Sequence, residues 1–245
     1  METTFSTALK NRRVIVLGGS SGIGLATAHA AAEAGAEVVI ASSNAMRIEQ
    51  ALKTLPGGCS GEAVNLNDET AIQQFFGHAG SFDHLVYTAG ENLTLNHLSG
   101  TNLSEAQHFF SIRYWGALAA VKYASPNINA GGSISLTSGT ASIRPGAGWA
   151  LASSICGAVE GLIKAMAVEL APIRVNCVVP GVIRTNLWDA MRQTDRDAMY
   201  EYLGNQLLLK RVGEAQDVAR GFLYLMEQSF GTGQSLLIDG GTVLV

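Results

Sequence analysis

The stretch Arg13-Val14-Ile15-Val16-Leu17-Gly18-Gly19-Ser20-Ser21-Gly22-Ile23-Gly24 decides how this chain folds. Its first half is a short β-branched and apolar run, the composition of a buried strand. Glycines at 18, 22 and 24 follow at once, and the Ala-rich run 22–34, closed by Gly35, reads as a helix. A strand that turns into a helix through glycines lets the backbone approach a ligand closely. It also leaves the helix's first amides free, an arrangement suited to a pyrophosphate. A glycine-rich run alone is weak evidence; opening the first βαβ unit, it becomes strong.

Outward from this turn the chain keeps one rhythm. Short strands are expected at 38–41, 62–66, 84–88, 133–137, 174–179 and 235–238. Ala-rich helices fill the intervals, with Asn44 a good N-cap for the second and long helices at 104–127 and 148–170. Strands alternating with such helices imply right-handed crossovers and a mostly parallel sheet. The expectation is a Rossmann-type, doubly wound α/β domain over residues 1–245, with seven strands and helices on both faces. Residues 181–212 break the rhythm; segments of that length are usually lids or carry small helices, and 186–205 is the candidate lid.

Composition narrows the function. The chain has 245 residues, 47% hydrophobic and 15% charged, with a formal net charge of −4. Nucleic acid and anionic membrane call for clustered Lys and Arg, so neither is expected as a partner. No apolar run is expected to span a bilayer, and the polar start of the chain does not read as a secretion signal. Cys59, Cys156 and Cys177 lie far apart, with neither metal-ligand spacing nor an even count. A cytoplasmic protein with reduced thiols and no metal site is expected.

With these motifs in view, nearly the whole chain resembles the short-chain dehydrogenase/reductase family. The family's glycine motif begins with a Thr where this chain has Leu17. Its Asn-Asn-Ala-Gly appears as Tyr87-Thr88-Ala89-Gly90, keeping only Ala89 and Gly90. Pro180-Gly181-Val182-Ile183-Arg184-Thr185 matches its Pro-Gly motif, and Ile238-Asp239-Gly240-Gly241 its final strand and turn. The resemblance implies a nicotinamide dinucleotide held by Gly18, Ser20, Ser21, Gly22, Ile23 and Gly24. It places the carboxamide on the Ile183 backbone and the Thr185 hydroxyl, and the adenine near Asn65 and Leu66. It also suggests a homodimer or homotetramer joined through the long helices and the C-terminal strand.

The end of the second strand selects the cofactor. A carboxylate about 20 residues after the glycines would bind the adenosine ribose and repel a 2′-phosphate. Here Ser42, Ser43 and Asn44 stand instead, and nothing there repels phosphate. NADP(H) is favoured over NAD(H) on the missing carboxylate alone, with only Arg47 as a nearby cation. Ordinary turn and cap chemistry, compatible with either cofactor, also explains these residues.

Protonating or stabilising a developing alkoxide needs a group beside the carbonyl oxygen. By resemblance the family uses a Tyr activated by a Lys, a Ser and an Asn. Counting from Ala158-Val159-Glu160-Gly161-Leu162, the Tyr falls on Ala152 and the Lys on Cys156. The Ser falls on Gly139 and the Asn on Arg113. All four positions are changed. In one reading, Trp149 fills the vacated space three residues before Ala152 and Arg113 returns the positive charge. In the other, Trp149 is packing and Arg113 pairs with a carboxylate. An Arg stabilises charge but donates no proton at neutral pH. Ser138 and Ser153 are further candidate hydroxyls, although each is commonly structural. Cys156, mid-helix among apolar neighbours, reads as a buried inert thiol.

Three functions fit. The first is an atypical NADP(H)-dependent oxidoreductase on a carbonyl or alcohol. The second is a catalytically inactive cofactor-binding sensor or partner subunit. The third is a non-redox enzyme keeping the dinucleotide as a structural element. The intact nicotinamide motif favours the first.

Overall fold

The computed structural model describes residues 9–93 and 95–245. Strands β1 (Arg13–Leu17), β2 (Glu37–Ser42), β3 (Ser60–Ala63), β4 (Phe82–Tyr87), β5 (Ile128–Thr137) and β6 (Arg174–Pro180) come first. Two short strands, β7 (Ile183–Arg184) and β8 (Gly213–Glu214), precede the last one, β9 (Ser235–Ile238). The principal sheet runs β3-β2-β1-β4-β5-β6-β9 and every neighbouring pair is parallel. This is the expected doubly wound seven-stranded sheet. Strand order reverses between β1 and β4, which opens a crevice outside the strands' carboxyl ends.

Alternation within the strands builds two cores. Ile15 and Leu17 of β1 pack with Leu85, Ile134 and Val175 under α3 (Glu69–His78), α5 (Ala117–Ala124) and α6 (Ala150–Glu169). Val14 and Val16 face the other side, with Val38, Ile40 and Val86. There they meet α1 (Gly22–Glu33), α2 (Ala45–Leu52) and α8 (Ala215–Glu227). A sheet covered on both faces explains why these strands read as nearly continuous apolar runs.

Three expectations change. The third strand ends at Ala63, and Val64 and Leu66 are buried anchors of the loop beyond it. The single helix expected over 104–127 is divided into α4 (Leu103–Phe110), a π-helical turn Ser111–Gly116, α5 and a 3₁₀ turn Ser125–Asn127. The widened turn frees the Ile112 carbonyl, which accepts from the buried Tyr87 hydroxyl. A π-bulge often marks a functional position, and this one carries Arg113. Finally, α6, at 20 residues, is long and apolar enough to cross a membrane, contrary to the expectation that no run would be. Its Ile155, Val159 and Ile163 pack into the core beside β5 and β6.

The irregular segment carries its own structure. Strand β7 pairs with β8, a 3₁₀ turn spans Asn186–Trp188, and α7 covers Gln193–Gln206. Tyr200, Leu207 and Val212 form a separate apolar cluster there, joined by Val182, Trp188, Met199 and Leu203.

Candidate active-site cleft

The crevice at the strand-order reversal is a cleft of about 510 Å³. Its floor is the turn between β1 and α1. Gly18 has φ +85°, and a Cβ there would lie 2.6 Å from the Ala89 amide nitrogen. A Cβ on Gly24 would collide with the Gly18 carbonyl and the Thr88 hydroxyl. Only glycine allows helix and strand to approach this closely. Ser21 occupies the N-cap of α1 in extended conformation without a side-chain cap bond. The helix therefore presents uncapped amides to the cleft, and a pyrophosphate fits that cradle.

The sequence-derived cofactor residues converge on this cleft, with one exception. Gly18, Ser20, Ser21, Gly22, Ile23, Gly24, Ser42, Ser43, Asn65, Leu66, Ala89, Gly90, Pro180, Gly181, Ile183 and Thr185 all line it. Asn44 does not. Its side chain accepts from the Arg47 amide at 3.0 Å, so it is spent capping α2. At the same end the Ser20 hydroxyl donates to Ser42 Oγ at 2.9 Å, and exposed Arg47 lines the cleft with no ion pair among the described residues. Beside the glycine turn, where a Cβ on Gly22 would lie 3.5 Å from Thr185 Cβ, the Thr185 hydroxyl caps the Asn186–Trp188 turn, accepting from the Leu187 amide at 3.4 Å. The Trp188 indole donates to the Ile183 carbonyl at 3.0 Å and joins the lining.

The candidate catalytic residues separate. Arg113 and Ser138 line the cleft. Trp149 and Ser153 do not, which corrects their placement. Helix α6 begins only at Ala150, so Trp149 precedes the first turn and never shares the Ala152 face. Its indole instead packs beside Gly146. Ser153 Oγ is buried without a hydrogen-bond partner. The tryptophan of the cleft is Trp188, which the periodicity argument missed because it lies in the irregular segment.

Cys156 and Gly139 are neighbours: a Cβ on Gly139 would lie 3.2 Å from Cys156 Sγ. Together with Arg113, Cys156 borders a chamber of about 50 Å³ beside the cleft, so no tryptophan fills the space next to it. Burial pushes the Cys156 thiol above its ordinary pKa, against the lowering influence of Ser138 and Arg113. Burial likewise pushes Cys177 up to about 11. Both are protonated at neutral pH, as the reading of an inert thiol requires.

Arg113 lies between the Gly90 backbone and the Phe109 ring, whose centroid is 5.1 Å from Cζ. A Cβ on Gly90 would fall 2.8 Å from Cζ, so Gly90 makes room for the guanidinium. Nη2 donates to the Glu91 carbonyl, and Nε is buried without a partner. Desolvation lowers its pKa, partly offset by Cys156, Glu91 and Tyr87. Behind Ser138 stands Glu160, which served the sequence only as a marker of helix register. Its Oε1 accepts from the Ser138 hydroxyl at 2.9 Å and the Ser142 hydroxyl at 2.5 Å. The lining of the main cleft, among the described residues, contains neither lysine nor tyrosine.

A parallel sheet of this order, with a glycine cradle at its switch point, defines a Rossmann-type nucleotide-binding architecture. Residues 18–243 match the family described as enoyl-(acyl carrier protein) reductase. The short-chain dehydrogenase/reductase ucsE of an Acremonium species is 32% identical, covering 100% of both chains. Among solved structures, a small-chain dehydrogenase in complex with NADPH is 34% identical with a TM-score of 0.86, covering 96% of this chain and 100% of that one. MalC reductase/Diels-Alderase from Malbranchea aurantiaca is 28% identical with a TM-score of 0.89, covering 98% and 99%. The chain belongs to the short-chain dehydrogenase/reductase family of oxidoreductases.

Proposed function

We propose that this chain is an NADP(H)-dependent reductase of a carbonyl substrate, working without the family's Asn-Ser-Tyr-Lys set. The observation that carries this reading is the completeness of the cleft. Ile183 and Thr185 line it beside the uncapped amides of α1, where Gly22 faces Thr185 and Asn186, and Ser42, Ser43 and Arg47 extend it at the end of β2. A protein needing only the adenine half has no use for the nicotinamide end. The relative solved with NADPH supports the cofactor.

When bound, the cofactor would supply a hydride to the carbonyl carbon. The residues of this chain have four tasks. Ser20, Ser42, Ser43 and Arg47 receive the 2′-phosphate, and the amides of α1 hold the pyrophosphate. Ile183 and Thr185 orient the nicotinamide. Arg113 stabilises the developing oxyanion, and the proton comes from solvent through the open cleft. Segment 186–205 closes over the substrate as a lid. Exposed apolar residues on α4 (Leu103), the π-helical turn (Trp115), α6 (Val168) and the loop before β9 (Phe230) support assembly into a homodimer or homotetramer.

The lack of lysine and tyrosine in the cleft lining favours a second reading, a binding protein without turnover. Titrations with NADPH and NADH, followed by a carbonyl panel, separate the two. The proposal expects NADPH to bind more tightly. It expects Arg47→Ala to cost roughly tenfold in NADPH affinity while sparing NADH. Equal affinities insensitive to Arg47 would refute the cofactor preference. Tight binding with no carbonyl reduced would establish the second reading.

A further inference from the structure

The wall of the small chamber beside Cys156 is unusual in its hydrogen-bonding state. Each hydroxyl in it donates elsewhere: Tyr87 to the Ile112 carbonyl, Thr88 to the Leu17 carbonyl at 3.1 Å, and Thr137 to the Tyr87 carbonyl at 2.8 Å. Ser138 gives its proton to Glu160 or to the Cys156 carbonyl. What remains for a ligand, besides the weakly donating Cys156 thiol, is the guanidinium of Arg113, whose buried Nε has no partner. The chamber and the main cleft share Arg113, Ser138, Thr88 and Ala89, so a group entering the chamber stays attached to a molecule in the cleft.

The charge of Arg113 is likewise unmatched. Its Nε is shut off from solvent, the residue as a whole is half-buried, and it forms no salt bridge among the described residues. Of the nearby carboxylates, Glu91 points to His108 at 3.4 Å and is more than one-third exposed. Glu160 is occupied by Ser138 and Ser142. A cation partly withdrawn from water, with one peptide carbonyl and one aromatic face for company, lacks the counter-charge that buried ions normally have. The dinucleotide's phosphates are drawn to the amides of α1 and to Arg47, so they do not supply it.

We infer that the substrate carries, next to the carbonyl that is reduced, a carboxylate seated in this chamber against Arg113, so that one guanidinium faces both the fixed anion and the oxygen on which charge develops. The volume of about 50 Å³ suits a group of that size and excludes a longer chain. The inference rests on the proposed function only in taking this cleft as the place where substrate meets cofactor. It narrows the substrate to an anionic carbonyl compound.

The test is calorimetric and needs no turnover. Propionate and isosteric propionamide would be titrated into the protein with and without NADPH. The expected result is propionate binding at least tenfold more tightly than propionamide to the NADPH-loaded protein. Arg113→Gln should abolish that preference. If this variant does not fold, Cys156→Leu decides: filling the chamber while leaving the charge in place should also weaken the anion at least tenfold. Equal binding of acid and amide, or a preference that survives in the folded variants, would overturn the inference. So would an anion that binds only the cofactor-free protein and is displaced by NADPH, since the counter-charge would then be the cofactor's phosphate. Anion binding without carbonyl reduction would leave the inference standing and remove the reductase reading.

Discussion

His84 sits inside β4 with Nδ1 2.9 Å from Ser133 Oγ, and its ring is almost wholly buried. Burial lowers its pKa from 6.5 to about 4, with Arg174 and Arg12 adding to the shift and Asp83 opposing it. The folded state thus resists a proton that the unfolded chain accepts readily. Stability is complete above the unfolded pKa and is lost as pH falls from about 6.5 to about 4. The shift corresponds to about 3 kcal/mol. Urea midpoints measured through that window should fall in wild type, and His84→Asn should flatten the slope; an unchanged slope would exclude His84 as its source. Asp83 is also lowered on balance, because the Arg13 amide, Arg12 and Asn129 outweigh its burial, so its contribution is lost only at lower pH. The sequence was most informative at residues where one chemistry has one geometry. Gly18 and Gly24 announce a turn that no side chain permits, and Asn44 announces a cap. Trp149 misled because helical periodicity was extended across a helix end that the sequence does not mark, and Ser153, inside α6, because its hydroxyl is buried away from the cleft. Glu160 went unnoticed because its partners, Ser138 and Ser142, come from a different segment.

Among the elements, the π-helical turn and the segment after β6 were least legible. Helical spacing over 104–127 is continuous, and the widened turn arises from Tyr87, which lies on β4 and takes the Ile112 carbonyl. A local pattern cannot report a bond to another strand. The segment after β6 builds a small core of its own, and Trp188 ties that core to the cleft through the Ile183 carbonyl. This arrangement predicts that NADPH changes the protein's tryptophan emission through Trp188. Trp188→Phe should remove the change, whereas Trp149→Phe should keep it. A change that survives Trp188→Phe would mean that the segment does not lie against the nicotinamide. The lost indole hydrogen bond should cost about 1 kcal/mol of stability, readable in the same variant.

At the scale of the whole molecule, nearly everything that positions the cleft was present in the sequence. Alternating strands and helices imply parallel crossovers, and parallel crossovers place a crevice at the carboxyl ends of the strands. The glycines, Ala89 and Gly90, and Pro180 to Thr185 then lie along one cleft, as the structure has them. What one strand-helix rhythm could not convey was the state of each polar group inside that cleft. The orphaned Nε of Arg113 and the serines bound to Glu160 depend on contacts between distant elements. The central claim is that the glycine turn and the adjoining Ile183–Thr185 segment hold a single dinucleotide, with its reactive ring opposite Arg113. Amide hydrogen exchange at saturating NADPH tests this directly. The account predicts protection at Gly22, Ile23 and Gly24 together with Ile183 and Thr185. Protection confined to the glycine turn, or none at either segment, would contradict it.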